Sequence, residues 1–330
     1  MKKKRLISFA LLAILAVGSI PMLAPFGWML STSLKTKELA GEHPPRWIPE
    51  KETAFLLTDG RRESVTVLTE TADDRIKIRT AQGETLFVPI DRVQRERRVA
   101  MHWENYQRVF QPSAAHQDED FPRYLLNTLL IAILTAMGQA LSSSLVAFGF
   151  ARLRFWGSGP LFGVMLATMM IPGQIGMIPT FMIFRWLGWI DTFLPLIIPA
   201  WLGSAFFAFL YRQYFMSIPL EMDEAAKVDG ATPLQIYWHV LLPMAKPVTV
   251  TVGVFSFLGA WNEFLGPLIY LNSDHKRTLS LALAKFQSAY GADVPALMAA
   301  ATLMLLPALA IYFFSQRALT EGLNIGGVKG

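Results

Sequence analysis

No cysteine occurs among the 330 residues, which excludes disulfide frameworks, thiolate zinc sites, iron–sulfur clusters and cysteine nucleophiles together. Charge is scarce as well. Asp, Glu, Lys and Arg make up 17% of the chain, where a soluble domain carries about 25%. With 53% apolar residues and a mean hydropathy of +0.36, that deficit rules out disorder and argues against an ordinary water-soluble enzyme. No G-x-x-x-x-G-K-[ST] phosphate loop is present, so the chain lacks that means of cradling a nucleotide. His43, His102, His116, His239 and His275 show no ligand spacing such as H-E-x-x-H. No catalytic residue, metal site or bound cofactor is expected.

What is present is long apolar sequence. Nine of the 20 prolines and nine of the 15 methionines sit inside it, a pattern that suits membrane helices, where neighbouring helices re-satisfy backbone groups freed by proline. A helix needs about 20 apolar residues to cross a bilayer. Runs near that length lie at Leu6–Leu30, Tyr124–Phe150, about 157–178 with a break near Pro172 and Gly173, about 192–211, Val248–Tyr270 and Pro295–Phe314. Six spans would put both termini on one side. Basic residues of the short connections on that side are Lys2, Lys3, Lys4, Arg5, Arg152, Arg154, Arg212, Lys227, Lys246, Arg317 and Lys329. The opposite side has only Arg185, Lys276, Arg277 and Lys285, so the positive-inside rule places both termini in the cytoplasm. The net charge of +5 does not gather into a groove or face, so no nucleic-acid partner is expected. Lys2–Arg5 and the run after them also fit a secretory signal. The run's length and the poor cleavage site at Met22-Leu23-Ala24 favour an uncleaved anchor.

The segment from Ser31 to Arg123 would lie outside the cytoplasm, and within it residues 51–100 change character. Stretches 54–58, 64–70, 75–80 and 85–90 read as short strands, with alternation in Ser64–Val67 and Arg75–Arg79 and turn signals at Asp59-Gly60, Asp73-Asp74 and Gln82-Gly83. A small half-open barrel or curled sheet follows, with Val65, Val67, Ile76, Ile78, Phe87 and Val88 as its core.

The most informative stretch is Met222–Pro247, MDEAAKVDGATPLQIYWHVLLPMAKP, within the cytoplasmic connection 212–247 between the fourth and fifth spans. A first helix is expected over Pro219–Val228, closed by Asp229-Gly230 because glycine accepts the left-handed conformation. Thr232 can cap a second helix with Pro233 at its first position, ending before Pro243. Glu224-Ala225-Ala226, Gly230 and Val240-Leu241-Leu242-Pro243 resemble the EAA loop of ABC importer permeases. Asp229 and Lys246-Pro247 place the resemblance in the carbohydrate-uptake branch, similar to the second, six-span permease of maltose-type systems. Ala151–Phe155, Trp261-Asn262-Glu263-Phe264 and the C-terminal Gly327–Gly330 agree with it. It covers about 1–50 and 101–330, and leaves 51–100 outside the usual pattern.

The resemblance implies an all-α integral membrane fold with six transmembrane helices of the permease type, here carrying a small extracytoplasmic all-β insertion. The expected organisation is an N-terminal tail and first helix at 1–30, an extracytoplasmic segment at 31–123, a permease core at 124–315 and a cytoplasmic tail at 316–330. It implies that Glu221, Asp223, Glu224, Ala225, Ala226, Asp229, Gly230, Leu242 and Pro243 couple the chain to a separate cytosolic ATPase dimer, which uses ATP-Mg. Glu224 suits a charge-assisted contact with an arginine there, and a solvated acidic helix start is the plain alternative. A second permease subunit, an extracytoplasmic sugar-binding protein and membrane lipid complete the implied partners. Phe181–Ile190, with Trp186 and Trp189, reads as an interfacial helix held by an aromatic belt, and the resemblance places it at the border of the binding protein's docking surface.

Polar residues within the spans are candidates for a substrate pathway. Glu263 beside Asn262 stands mid-way along the fifth span, and an intramembrane acid is a functional hypothesis by default. Asn127, Gln139, the patch Ser142–Ser144, Gln174 and the ring of Trp261 could face the same path; the alternative is interhelical hydrogen bonding. Three other functions stay open at this point. One is a proton-coupled secondary transporter using Glu263, and another is a membrane-anchored sensory or scaffold protein whose output is the insertion at 51–100. The third is an importer of the same family for another polar solute such as a glycerol phosphate.

Overall fold

The structure is a computed structural model that describes residues 2–42, 44, 46–58, 61–71, 75–80, 82–110, 120–289 and 293–323. The chain falls into two compact units, Met1–Gln111 with Phe286–Leu303, and Pro112–Lys285 with Met304–Gly330.

The first unit opens with helix α1, Lys2–Ser33, which carries Pro21 and Pro25 within it rather than ending at them. Its stretch Leu11–Ser33 is long and apolar enough to cross a membrane, and only its last residues, Thr32 and Ser33, are buried inside the protein. Beyond its end, Asn105 Nδ2 donates to the carbonyls of Ser33 and Lys35 at 2.8 and 2.9 Å, supplying donors that the helix terminus lacks. The buried Lys35 ammonium stands 3.8 Å over the Trp28 ring and donates to Arg46 O; burial pushes its pKa down.

Five strands follow: β1 Glu50–Thr58, β2 Arg61–Thr71, β3 Arg75–Thr80, β4 Thr85–Pro89 and β5 Val93–Val99. They form one antiparallel sheet in the order β4-β3-β2-β1-β5. Ala54, Leu56, Val65, Ile76 and Ile78 are its buried core, with Val67, Val88 and Val93 packed against them. Two expectations change. Phe87 is 58% exposed, because Val88 pairs with Ile76 while Phe87 pairs with Lys77, and neighbouring strand residues cannot share a face. The fifth strand is additional. Its arginines look like a charged connection in sequence, but Arg97 reaches Glu42 and Glu52 at 2.9 and 3.0 Å.

In the second unit, helix α2, Phe121–Arg152, runs unbroken for 32 residues, started by the side chain of Asp120 and by Pro122 in its first turn. Helix α3, Ser158–Ala167, continues as a 3-10 turn to Met170. The chain then breaks, as expected around Pro172 and Gly173, before helix α4, Met177–Trp186. Leu194–Ser217 is an apolar stretch broken at Gly203, φ 89°, and its second part is helix α5, Ala205–Ser217. Helix α6 covers Leu220–Val228, helix α7 Pro233–Met244 and helix α8 Lys246–Asn262. Helix α9, Leu265–Tyr270, helix α10, Leu279–Ala289, and helix α11, Val294–Leu323, complete the described chain.

Among the described residues four helices are long and apolar enough to span a membrane, Leu11–Ser33, Phe121–Arg152, Leu194–Ser217 and Val294–Thr320. The bent pair Pro233–Met244 and Lys246–Asn262, 80° apart, makes up to five. The third expected span is a short apolar helix, Ser158–Met170. The fifth is interrupted: α8 ends at Asn262 and Glu263 is extended, so Glu263 does not lie inside a continuous helix. Pro267 explains the break, since its ring would clash with the carbonyl four residues back, at Glu263.

A single apolar cluster joins α2, α5, α7 and α8 through Phe148, Tyr211, Phe215, Ile236, Tyr237, Leu241, Val248 and Val252. It fixes the segment 219–247 to the helices on either side of it.

Candidate functional site

The segment 219–247 is built by strong local rules. Gly230 has φ 82°. Its amide donates to Lys227 O at 3.0 Å and that of Ala231 to Ala226 O at 2.9 Å, the paired bonds of a Schellman stop. One residue later Thr232 and Gln235 form a reciprocal capping box, with Pro233 in the first turn. The second helix runs on through Pro243 to Met244 instead of ending before it. A π turn at Tyr237–Leu241, in which the Leu242 amide reaches back to Tyr237 O, widens the helix where a proline would otherwise meet the carbonyl of His239.

The acids of this segment part company. Glu221, Glu224 and Asp229 are exposed, as is Ala225. Asp223 is buried, with one carboxylate oxygen 2.9 Å from Arg152 Nε at the end of α2. Arg152 Nη2 also donates to Ile218 O at 2.9 Å. Asp223 is therefore an internal tie and not a surface acid. Ala226 and Leu242 are half-buried and Pro243 is exposed. Val228, 88% exposed, and Leu234 add apolar surface beside the acids. A groove of about 320 Å³ between the two helices is lined by Ala226, Asp229, Gly230, Gln235, His239 and Val240, among others.

Buried hydrogen bonds join the segment to α2 a second time. Ser144 Oγ and Tyr237 Oη lie 2.8 Å apart, and the Phe148 and Tyr237 rings pack at 5.3 Å. Ser142 donates to Gly138 O and Ala200 O, and Ser143 Oγ accepts from the Ser204 amide. The serine patch is interhelical bonding.

The expected pathway residues do not converge. Asn127 Nδ2 donates to His275 O and Arg277 O at 3.0 and 2.9 Å. Gln139 accepts from Ser143 at 3.2 Å, and Gln174 is exposed in the 171–176 break. Trp261 is buried, stacks on Phe257 and donates to Met304 O at 3.2 Å, so its ring is not free to stack on a ligand. Asn262 bonds back to Leu258 O. Glu263 lines a cavity of about 190 Å³ with Ile131, Thr135, Leu196, Gly259, Ala260, Pro267 and Thr278. Its carboxylate accepts from the Gly266 amide at 3.0 Å. Thr135 and Thr278 escaped the sequence reading, since a lone threonine in an apolar run carries no signal of what it faces.

A further polar centre also went unforeseen. Asp191, with φ 58°, accepts from the amides of Asn272 and Ser273 at 3.0 and 2.9 Å, from the Ser273 hydroxyl at 2.5 Å and from Lys276 at 3.1 Å. The Ser273 hydroxyl and amide, helped by Asn272 and Lys276, hold its carboxyl well below the usual carboxylate range against the opposing effect of burial. Gly327–Gly330 lie outside the described residues.

Residues 139–324 match the family described as binding-protein-dependent transport system inner membrane component. A putative ABC transporter permease protein of Caldicellulosiruptor sp. (strain Rt8B.4) is 36% identical over 212 residues, 64% of this chain and 77% of its own. The arabinooligosaccharides transport system permease protein of Bacillus subtilis (strain 168) is 30% identical over 230 residues, 70% of this chain and 80% of its own. The lactose transport system permease protein of Rhizobium radiobacter is 33% identical over 210 residues, 64% and 76% of the two chains. Among solved structures, a chain of a bacterial ABC transporter that imports the acidic polysaccharide alginate superposes with a TM-score of 0.68 at 20% identity, covering 96% of this chain and 98% of that one.

Proposed function

The chain belongs to the family of binding-protein-dependent transport system inner membrane components, and we propose that within it this chain is the permease subunit of an ATP-driven saccharide importer. The names of its relatives, which concern arabinooligosaccharides and lactose, support a saccharide as the solute. The chain would cross the inner membrane six times with both termini in the cytoplasm. The broken helices at 158–186 and 246–270 would serve as its third and fifth spans, and the sheet would stand outside. It would work beside a second, non-identical permease, an extracytoplasmic binding protein and a cytosolic ATPase dimer. That dimer would use ATP-Mg, since this chain carries no phosphate loop of its own.

The observation that carries this reading is the division of segment 219–247 into an anchored face and an offered one. Ile236, Tyr237 and Leu241 are sunk in the apolar cluster, while Glu221, Glu224 and Asp229 stand exposed with Val228 and Leu234. A rigidly mounted acidic and apolar surface fits insertion into a basic-rimmed cleft of an ATPase, whose closure would move the helices as rigid bodies. Glu221, Glu224, Ala225, Ala226, Asp229 and Gly230 would form the contact, with Leu242 and Pro243 behind them. The Glu263 cavity would be the polar point of the solute path.

Glu224→Arg tests this in the full complex. Because Glu224 is exposed, the variant should insert in the membrane normally, lose co-purifying ATPase and cease solute uptake in reconstituted vesicles. Full co-purification and uptake would sink the docking role.

A further inference from the structure

Among the described residues, α2 is the longest uninterrupted helix of those packed on segment 219–247, at 32 residues. Leu194–Ser217 is interrupted at Gly203, and α8 stops at Asn262. Polar ties hold α2 along its length. At mid-helix Thr135 and Ser142 donate to the carbonyls of Leu196 and Ala200, and Ser143 accepts from the Ser204 amide. Further ties lie toward each end. At one end Arg152 meets Asp223 and Ile218 O, and Ser144 meets Tyr237. At the other, Asn127 holds the carbonyls of His275 and Arg277, and Thr128 Oγ1 accepts the Leu279 amide at 2.8 Å. The 272–276 turn is bound in its turn to Asp191. From Asn127 to Arg152 the helix extends about 38 Å at 1.5 Å per residue.

We propose that α2 is the rod that carries the motion of the docking segment to the 271–279 loop, with Arg152 and Asp223 as positioning residues at its driven end and Asn127 and Thr128 at its far end. This rests on the docking role proposed above for 219–247. The chemistry of the Arg152–Asp223 contact favours a positional role over a stabilising one. Both side chains are nearly excluded from water, and Asp223 Oδ1 is buried with no hydrogen-bond partner. Desolvating two charges while leaving an oxygen unsatisfied is weak support for stability, but it fixes the register of the two helices it joins. An unbroken α-helix with bonded ends transmits a displacement that a helix hinged at a glycine would absorb.

The test uses the complete importer in proteoliposomes and reads solute delivered per ATP hydrolysed, with ATPase co-purification measured alongside. Asp223→Asn removes the charge at constant shape, and Asn127→Ala with Thr128→Val cuts the far ties without touching the docking segment. Each should retain the ATPase yet lower the transport-to-hydrolysis ratio about tenfold, the scale of mutations along a coupling network. Asp223→Glu, which keeps the charge, should restore most of that loss. Normal coupling in Asp223→Asn would overturn the positioning role of the pair. Normal coupling in the Asn127/Thr128 variant would overturn the rod, and it decides alone if Asp223→Asn fails to reach the membrane. Loss of the ATPase from either variant would also overturn the proposal, by making the defect one of assembly. The function itself fails on a different result, namely no ATPase bound to the unaltered chain.

Discussion

Asp191 receives both the amide and the hydroxyl of Ser273, at 2.9 and 2.5 Å, from a backbone conformation with φ 58° that few residues other than glycine, asparagine and aspartate adopt. One carboxylate therefore holds two connecting loops together. Because these bonds favour the ionised form, its pKa is depressed in the folded chain. The stability it adds is complete above the unfolded value, about pH 4, and is lost as pH falls from there toward the folded value. Asp191→Asn keeps the shape and the tolerated backbone but not the charge. The gap in thermal stability between the unaltered chain and Asp191→Asn should be constant from neutral pH down to about pH 5 and shrink below about pH 4. A gap that widens on acidification would contradict the assignment.

Tyr237 touches α2 by its hydroxyl and its ring together. Tyr237→Phe removes one hydrogen bond but leaves the Ser144 hydroxyl donating to Leu141 O, so the expected cost is about 1 kcal/mol. Tyr237→Ala also empties a site whose side chain is almost wholly buried, at about 3–5 kcal/mol. Denaturant unfolding in detergent separates the two, and equal losses would mean that the ring contributes nothing.

Gly138, midway along α2, lies where a Cβ would come within 2.5 Å of the Trp201 ring. Gly138→Ala must displace that ring, at about 1–3 kcal/mol for overpacking. Trp201→Ala should relieve the clash, so the double variant should be more stable than the sum of the single losses predicts. Simple additivity would show that the ring yields freely.

Local rules made much of the docking segment legible. Gly230, Thr232 and Pro233 specify a stop and a start within four positions, and the stop and capping box are formed as those residues require. The long-range contacts were not legible. Nothing near Asp223 in the sequence distinguishes it from Glu224, because its partner Arg152 is remote in the chain and only packing decides which acid turns inward. Trp261 was equally open, since α11 supplies the carbonyl of Met304 that claims its indole. The π turn passed unnoticed for a related reason: Pro243 does read as a stop, and only the cluster around Tyr237 and Leu241 holds the helix together across it. In the sheet the first four strands follow from period and turns, whereas β5 forms by a long-range ladder with β1, from Glu50 opposite Val99 to Leu56 opposite Val93, which no local pattern announces.

Gly230 is the position where backbone conformation and docking geometry can be separated. Its φ of 82° is left-handed, and a Cβ there would meet nothing within 4 Å, so substitution carries a conformational cost and no steric one. Gly230→Ala should destabilise the segment by about 1–2 kcal/mol, the penalty of the left-handed region for an L-residue. Asparagine tolerates that region better, so Gly230→Asn should lose less. If bending between the two short helices is what presents Glu224, solute uptake should fall in the same order, alanine below asparagine below glycine. Thermal unfolding and vesicle uptake measured on the same preparations decide it, and an asparagine variant as impaired as the alanine one in both would rule out backbone conformation as the cause.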